Sequence, residues 1–350
     1  MKTKNKYLSV VVVGRNDNYG GNFTDRFQLC INWLGVNIKK RKLPVEILVV
    51  NYNPIKENKD LREIIKWPDE DDYLSINMVE VPVEIHEVFH DKKIRKEVPL
   101  YEYIAKNVGI RRAVGEYILV INPDIILHPK FFRFVQKQKL KKTFYYRSDR
   151  YDYVQPRENG QIDKEMFNLI NKNVFQLTLK HRKYDINGAS YLKLITYRLK
   201  NKFNIWKENR ILQFENIANR HSIPVVYDKI SRIFHTNCSG DFMLMHRENW
   251  FRLKGTPENT YLALHADSIF IVQAAVSGLK EKVLSWPIYH KKHERRYDAQ
   301  KDNEFPEYKV MFKKFINDSE RMLELKKPII YNTDDWGCIK YPLKKIRIKN

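Results

Sequence analysis

The sequence is poor in cysteine and has no long hydrophobic run. Its three cysteines, Cys30, Cys238 and Cys338, stand far apart in 350 residues, and this spacing fits neither a zinc motif nor a disulfide framework. No apolar run approaches the roughly 18 residues that a membrane-spanning helix needs. The N-terminus leads straight into a strand-like segment, so we expect no signal peptide or membrane anchor. These absences predict a cytoplasmic protein, either soluble or peripheral at a membrane surface.

The glycine-rich nucleotide motifs are also missing. The chain has 12 glycines, but no segment reads G-x-G-x-x-G and none carries a Walker lysine, which argues against a dinucleotide fold and a P-loop NTPase. Helix-turn-helix, zinc-finger and RNA-binding motifs are absent as well, and the basic residues are spread along the whole chain. The sequence therefore disfavours nucleic acid as the partner, although a basic nucleic-acid-binding protein stays an alternative.

Acidic residues are outnumbered by basic ones. The chain has 64 Lys and Arg against 42 Asp and Glu, a formal net charge of +22. Such a charge favours anionic partners, which include nucleotide diphosphates, acidic glycans and anionic lipid surfaces. A codon bias towards lysine, asparagine and isoleucine explains it equally well. With 43% hydrophobic residues, the chain can bury a substantial core in one large or two closely packed domains.

The most informative stretch runs from Asn107 to Pro129. It reads as the end of a helix, a turn at Gly115, an apolar strand from Tyr117 to Ile121 and a polar break before a second apolar run. Asp124 lies in this break, just after a buried strand. In open α/β sheets, ligands bind beyond the carboxyl ends of the strands, so this carboxylate is predicted to face a ligand.

This stretch resembles the nucleotide-sugar half of a glycosyltransferase with the GT-A fold, most closely family 2. The resemblance rests on an A-x-N-x-G-x-x-x-A-x-G-x-Y-I pattern followed by a triplet similar to D-x-D. The matching residues are Ala105, Asn107, Gly109, Ala113, Gly115, Tyr117, Ile118, Asn122, Pro123 and Asp124. It implies an α/β fold with a mixed, mostly parallel sheet flanked by helices. The alternating strands and helices up to residue 128 independently predict such a sheet.

The resemblance also implies a nucleotide-diphosphate sugar, with UDP-sugars favoured, as the donor and Mn²⁺ or Mg²⁺ as the cofactor. Asp124 is the first predicted metal ligand. Asn122 stands where the family has an acid, and an amide oxygen can ligate a hard cation but brings no charge. His290 is the predicted third ligand, and its imidazole suits Mn²⁺ better than Mg²⁺.

The donor site is predicted at the ends of the first strands. A β-branched run from Tyr7 to Val13 is followed by a polar loop and then by helical spacing from Phe23 to about Lys40. The resemblance places the loop against the nucleotide, whereas a simple turn is the alternative reading. The full set of predicted donor-site residues is Gly14, Arg15, Asn16, Asp17, Asn51, Asn107, Arg111, Asn122 and Asp124.

A second block, from His235 to His293, resembles the acceptor half of the same class. Its G-D-F-x-L-M, H-x-D-S and Y-H elements occur in the family's order. The resemblance makes Asp267 the catalytic base of an inverting transfer and Asp241 its competitor or a ligand of a sugar hydroxyl. Capping a helix is the alternative role of Asp267. The sequence leaves inverting and retaining chemistry open.

We divide the chain into a donor half, residues 1–128, an acceptor half, residues 129–300, and a C-terminal helix with a basic tail, residues 301–350. Residues 145–224 form an insertion that carries no motif, with helices expected near Lys164 to Asn171 and Trp206 to Asn219. Residues 83–96, with His86 and His90, are expected to be an exposed excursion. The basic tail is expected to be solvated or to touch an anionic membrane surface.

The predicted function is glycosyl transfer to a hydroxyl of a glycan or protein. The alternative to an active enzyme is a degenerate domain that only binds sugars, for which Asn122 is the motivating observation.

Overall fold

The structure is a computed structural model of the chain. It describes residues 5–89, 98–154, 164–180, 182–188, 190–215, 230–231, 233–258, 265–294 and 306–348. His90 and residues 216–224 of the predicted insertion lie outside this part.

An eight-stranded mixed sheet forms the centre of the molecule. From edge to edge its strands are β11 (Lys280–Val283), β6 (Phe144–Arg147), β10 (Phe242–His246), β4 (Tyr117–Ile121), β1 (Leu8–Gly14), β2 (Val45–Tyr52), β3 (Leu74–Val81) and β13 (Lys345–Arg347). The four strands β4, β1, β2 and β3 run parallel, while β10 runs antiparallel between β4 and β6. The predicted fold class, a mixed sheet with a parallel core, is confirmed.

A smaller sheet continues from the end of β4. Its strands are, in spatial order, β5 (Ile125–Leu127), β12 (Ile288–Lys291), β7 (Arg150–Tyr153), β8 (Val174–Thr178) and β9 (Lys183–Asp185). β12 pairs antiparallel with β5 and parallel with β7. Because β5 follows Asp124 directly, this sheet carries residues of the acceptor half to the edge where β4 ends.

Helices cover both faces of the large sheet. They are α1 (Phe23–Lys40), α2 (Leu61–Ile64), α3 (Val83–Val88), α4 (Glu102–Arg112), α5 (Pro129–Gln136), α6 (Lys164–Lys172), α7 (Tyr191–Glu215), α8 (Arg247–Arg252), α9 (Ala266–Val276) and α10 (Pro306–Leu325). Alternation along β1 separates two cores: Val10 and Val12 face the α1 side, and Val11 and Val13 face the α4 side. None of the described helices is long and apolar enough to cross a bilayer.

The glycines of the central motif permit close packing of α4 on β1. A Cβ at Gly109 would lie 2.4 Å from Val11 Cγ1, and one at Gly115 would lie 2.3 Å from the Ser9 nitrogen. Neither position has room for a side chain. The motif therefore places α4 and β4 on β1, and this places Asp124 at the carboxyl edge of the parallel strands.

Two expectations about local structure were wrong, and the insertion contains strands that the sequence did not predict. His86 is buried, since its ring stacks on Tyr101 with centroids 4.8 Å apart and its Nδ1 lies 3.3 Å from the Tyr52 hydroxyl. The insertion contributes most of β6 and all of β7, β8 and β9, strands of three to five residues that are too short for a clear periodic signal. The basic tail is an edge strand and not a disordered terminus, because β13 pairs antiparallel with β3, and Arg347, although 52% exposed, lies with its Nε 2.7 Å from Glu70 Oε2.

Candidate active site

The candidate site lies where β4 ends. Asp124 follows β4 by two residues, and the pairing of β5 with β12 sets His290 opposite Ile125. The loop after β12 brings His293 to the same place. Three side chains that are distant in sequence thus meet at the edge where a parallel sheet offers a ligand site.

Asp124, His290 and His293 form a cluster with the geometry of a metal site. Their ligand atoms lie within 4.8 Å of one another. His293 Nε2 lies 3.0 Å and His290 Nε2 3.6 Å from Asp124 Oδ2. The other carboxylate oxygen, Asp124 Oδ1, is buried and has no hydrogen-bond partner among the described residues. One oxygen and two nitrogens therefore converge on one small space.

The other nitrogen of each imidazole is already in use. His290 Nδ1 donates to Asp152 Oδ1 at 2.7 Å, and His293 Nδ1 donates to the backbone oxygen of Glu294 at 2.7 Å. Both acceptors lack a proton, so each Nδ1 carries the hydrogen and Nε2 is the ring atom that faces Asp124. An Nε2 lone pair that faced the Asp124 carboxylate would be repelled by it, so either a cation lies between the two groups or Nε2 carries a proton. This is the arrangement in which partner groups orient histidines towards a metal.

The charges in the cluster stabilise one another. Burial opposes ionisation of Asp124, but His290, His293 and Arg26 outweigh it and hold the pKa of Asp124 below its usual range. Burial also lowers the pKa of His290, whereas Asp124 and Asp152 raise it, and the result is a pKa above the usual value. The site thus favours positive charge beside Asp124, as either protons or a metal ion.

Arg150 connects the cluster to Asp241. Its Nη2 lies 3.1 Å from Asp152 Oδ1, the oxygen that holds His290, and its Nη1 lies 2.7 Å from Asp241 Oδ2. The amide of Asn122 donates to Asp241 Oδ1 at 2.8 Å. The Asn122 side-chain nitrogen therefore hydrogen-bonds to Asp241. Two residues predicted from the sequence to belong to the site, Asn122 and Asp241, are thus in direct contact.

Asp267 lies next to this chain of contacts. Its Oδ2 accepts from the Gly240 nitrogen at 2.7 Å and its Oδ1 from the Ser268 nitrogen at 2.7 Å. The N-cap position of α9 belongs to His265, not to Asp267, which lies in the first turn. The alternative, that Asp267 is the N-cap residue of this helix, is therefore wrong. Its carboxylate instead accepts a hydrogen bond from Gly240 in the turn before β10.

Two further groups surround Asp267. The Tyr103 hydroxyl hydrogen-bonds to Asp267, and burial, together with this carboxylate, raises the pKa of Tyr103. Lys106 is 2% exposed, donates to the Gly240 oxygen at 2.7 Å and pairs with Glu102. A Cβ at Gly240 would lie 2.8 Å from the Tyr103 hydroxyl. The turn at Gly240 is therefore fixed between α4 and α9.

The loop after β1 packs against the cluster. Arg26 of α1 donates to three successive backbone oxygens, those of Tyr19, Gly20 and Gly21. A Cβ at Gly20, whose φ is +67°, would lie 2.6 Å from His293 Nδ1. The backbone of the loop at Gly20 therefore lies directly against the His293 ring, and no side chain would fit between them.

The predicted donor-loop residues tie two loops together. Asn16 accepts from the Ile55 nitrogen at 2.7 Å and donates to its oxygen at 2.9 Å. Arg15 donates to the Asn53 oxygen at 2.6 Å and pairs with Asp17 at 2.8 Å. These contacts are those expected of the turn alternative, and they join the carboxyl ends of β1 and β2.

Gly14 and Asn51 lie where those two strands end. Gly14 is the last residue of β1 and pairs with Asn51 of β2. A Cβ at Gly14 would lie 3.2 Å from Phe23 and Leu61 atoms. Asn51 donates to Asp60 Oδ2 at 3.4 Å, and its buried Oδ1 accepts no hydrogen bond within the described part of the chain.

Two predicted donor-site residues lie elsewhere. Asn107 is fully buried, and its amide bonds to Thr256 and Glu258, so it fastens a loop rather than facing a ligand. Arg111 lies at the far end of α4, with its guanidinium 4.8 Å from the Trp336 ring centroid. Because α4 runs opposite to the parallel strands, its C-terminus is at the other edge of the sheet from Asp124. We therefore exclude both residues from the site.

The chain is similar to solved glycosyltransferases. A structure of S. aureus TarS 1-349 in complex with UDP is 13% identical with a TM-score of 0.42, and the match covers 89% of this chain and 64% of that one. The catalytic domain of Drosophila β1,4-galactosyltransferase 7 in complex with xylobiose is 12% identical with a TM-score of 0.34, covering 85% and 78%.

The chain thus spans less than two thirds of the TarS structure that it matches. A mutant of the Drosophila enzyme, in complex with manganese, UDP-Gal and xylobiose, matches with 10% identity and a TM-score of 0.37. No family model and no curated protein matches the chain. Similarity at this level assigns no role to any residue.

Sequence reasoning missed four residues of the site: His293, Asp152, Arg150 and Arg26. The segment Y-H-K-K-H at the end of β12 gave a usable signal for His293, because a second histidine follows His290 by three residues. The other three carry no local signal. They act through contacts with residues far away in the sequence.

Proposed function

We propose that the protein is a metal-dependent glycosyltransferase. It takes a sugar from a nucleotide-diphosphate sugar, with UDP-sugars favoured, and transfers it to a hydroxyl of a glycan or protein. The observation that carries the proposal is the cluster of Asp124, His290 and His293 at the carboxyl edge of the parallel strands, next to Asp241 and Asp267.

The cluster has the donor set that such a reaction needs. Asp124 and the two imidazoles would hold a divalent ion, and the nitrogens favour Mn²⁺ over Mg²⁺. When bound, the ion neutralises the departing diphosphate. His293 supplies the third ligand, which offsets the missing acid at Asn122 and weakens the degenerate-domain alternative. The rest of the donor pocket is proposed to be Gly14, Arg15, Asn16, Asp17 and Asn51.

Asp267 is the proposed base of an inverting transfer. The acceptor oxygen attacks the anomeric carbon, the bond to the diphosphate oxygen breaks, and the acceptor proton passes to the carboxylate. Asp267 already accepts from the Gly240 and Ser268 nitrogens and from the Tyr103 hydroxyl, but a carboxylate has about four lone-pair sites, so one remains to receive the acceptor proton. Asp241 is held by Arg150 and Asn122 and is better placed to orient a sugar hydroxyl.

Nucleotide binding gives the direct test. Thermal shift and calorimetry with UDP, GDP, TDP and CMP, each with and without Mn²⁺, should reveal one nucleotide that stabilises the protein only with the metal. Asp124→Ala should lose that stabilisation and all turnover while keeping its fold. Full activity of this variant would refute the site assignment. Salt-sensitive binding to DNA or RNA, with no response to any nucleotide, would favour the nucleic-acid alternative.

A further inference from the structure

Helix α7 exposes a stripe of large apolar side chains. Leu192, Ile195, Leu199, Phe203 and Trp206 recur every three or four residues and so share one face of the helix. They are 76%, 37%, 60%, 60% and 54% exposed, respectively. Isolated apolar side chains are ordinary on a protein surface, but a contiguous stripe marks a binding surface.

The opposite face of α7 already packs on the protein. Leu194 and Tyr197 pack against the core on the α1 side of the sheet, and the Tyr197 ring lies 5.2 Å from Tyr184. Asn201, on the same inner face, is 7% exposed. The helix is therefore attached through its inner face, and the stripe lies on the face turned to solvent.

Cations border the stripe on both sides. At about 100° per residue, Lys193 and Lys200 fall on one flank and Lys202 on the other, and all three are exposed. No Asp or Glu occurs between Leu192 and Trp206. An apolar face bordered by lysines, with no acid among them, suits an anionic bilayer, because lysine stems lie along apolar surface while their ammonium groups reach the phosphates.

We propose that α7 docks the protein on an anionic lipid bilayer, with the stripe among the acyl chains and the lysines at the phosphates. A second copy of the chain is a poorer occupant, because both partners carry a net charge of +22 and their lysines would meet. A nucleic acid could pair with the lysines but would leave the apolar stripe uncovered. The proposal is independent of glycosyl transfer, since the Asp124 cluster takes no residue from α7.

Vesicle co-sedimentation of the full chain tests the proposal. One set of vesicles is pure phosphatidylcholine and the other contains about 30% phosphatidylglycerol, which supplies the negative surface potential. We expect the protein to pellet with the anionic vesicles only and to be released by added salt. The double variant Leu199→Glu/Phe203→Glu should lose at least about tenfold in affinity, because it places charge in the acyl region.

A matched control uses exposed apolar residues on another helix. Val310 and Leu325 of α10 are 66% and 59% exposed, and Val310→Glu/Leu325→Glu should bind vesicles as the unaltered protein does. Lys200→Glu/Lys202→Glu should weaken binding to anionic vesicles without changing the melting temperature. Equal binding by the stripe variant, or no binding by the unaltered protein, overturns the proposal. A dimer abolished by the stripe variant, without vesicle binding, would assign the stripe to a second copy.

Discussion

The guanidinium of Arg150 lies 2.7 Å from the carboxylate of Asp241, and both side chains are less than one tenth exposed. The same guanidinium lies 3.1 Å from Asp152, which orients His290. One buried cation therefore balances two buried carboxylates: Asp152, beside the proposed metal ligand His290, and Asp241, on the proposed acceptor side of the site. Burial lowers the pKa of Arg150, but Asp241 and Asp152 outweigh it and raise the pKa above its usual value.

Arg150→Met should destabilise the protein by about 3–5 kcal/mol, because it leaves two buried carboxylates without a counter-charge. Urea denaturation measures the loss. Arg62→Met is the matched control, since Arg62 forms an ion pair of 2.8 Å with Asp60 but is 43% exposed, and exposed pairs contribute about 1 kcal/mol or less. Equal losses in the two variants would show that Arg150 is not a buried balancing charge.

His293→Ala should weaken Mn²⁺ binding, and with it the metal-dependent affinity for UDP, by at least about tenfold. The reason is that one of three converging ligands is lost. Calorimetric titration of the metal, with and without the nucleotide, gives both affinities. His246→Ala serves as the control, because His246 lies at the start of α8, where its Nδ1 accepts from Glu248, and belongs to no metal cluster among the described residues. Unchanged Mn²⁺ affinity in His293→Ala would remove His293 from the ligand set.

Asp267→Asn should reduce transfer by about 10²–10⁴-fold, the usual contribution of a general base. Metal-dependent UDP binding should persist, because Asp267 is not part of the metal cluster. Product formation and nucleotide affinity are measured on the same preparation. Asp334→Asn, at a carboxylate 96% exposed, should behave as the unaltered protein does. Normal transfer by Asp267→Asn would shift the base assignment to Asp241.

Glu258 should make stability depend on pH. Burial raises the pKa of Glu258 to about 7 from 4.5, against hydrogen bonds from Gly337 and Asn107 that favour the ionised form. The folded state thus keeps a proton that the unfolded state releases. The free energy of unfolding should therefore fall, by up to about 3 kcal/mol, as the pH rises from about 4.5 to 7.

Glu258→Gln isolates this effect, because its amide stays neutral and can accept the same hydrogen bonds. The variant should match the unaltered protein near pH 4.5 and exceed its stability above pH 7. Urea denaturation across this range checks it, with the exposed acid Glu63, changed to Gln, as the control. A parallel fall in stability with pH in Glu258→Gln would trace the dependence to other groups.

Much of the fold could be predicted from the sequence because its signals are local. β-Branched runs and helical spacings place β1, α1 and β4 within one or two residues of their observed bounds. Asp124 was predicted by the general rule for strand ends. Asn107 shows the limit of motif reasoning, since its amide bonds a loop 149 residues away in the sequence.

The site itself depends on pairings that leave no local trace. β5 and β12 are three- and four-residue strands, too short for a clear periodic signal. β7 reads R-Y-D-Y and is buried throughout, because its arginine and aspartate neutralise each other. A polar strand of this kind resembles a loop in sequence. Arg150 and Asp152 therefore became recognisable as site residues only once the two sheets were in place.

The pairing of β13 with β3 has a consequence for synthesis of the chain. β3 is translated early and β13 late, so the ribosome exposes one edge of the large sheet until almost all described residues have been made. An open edge strand can pair with other chains, and partly folded intermediates aggregate by such edges. A chain that ends before Lys345 would present the eight-residue β3 as its edge in place of the three-residue β13, and a longer open edge pairs more readily with other chains.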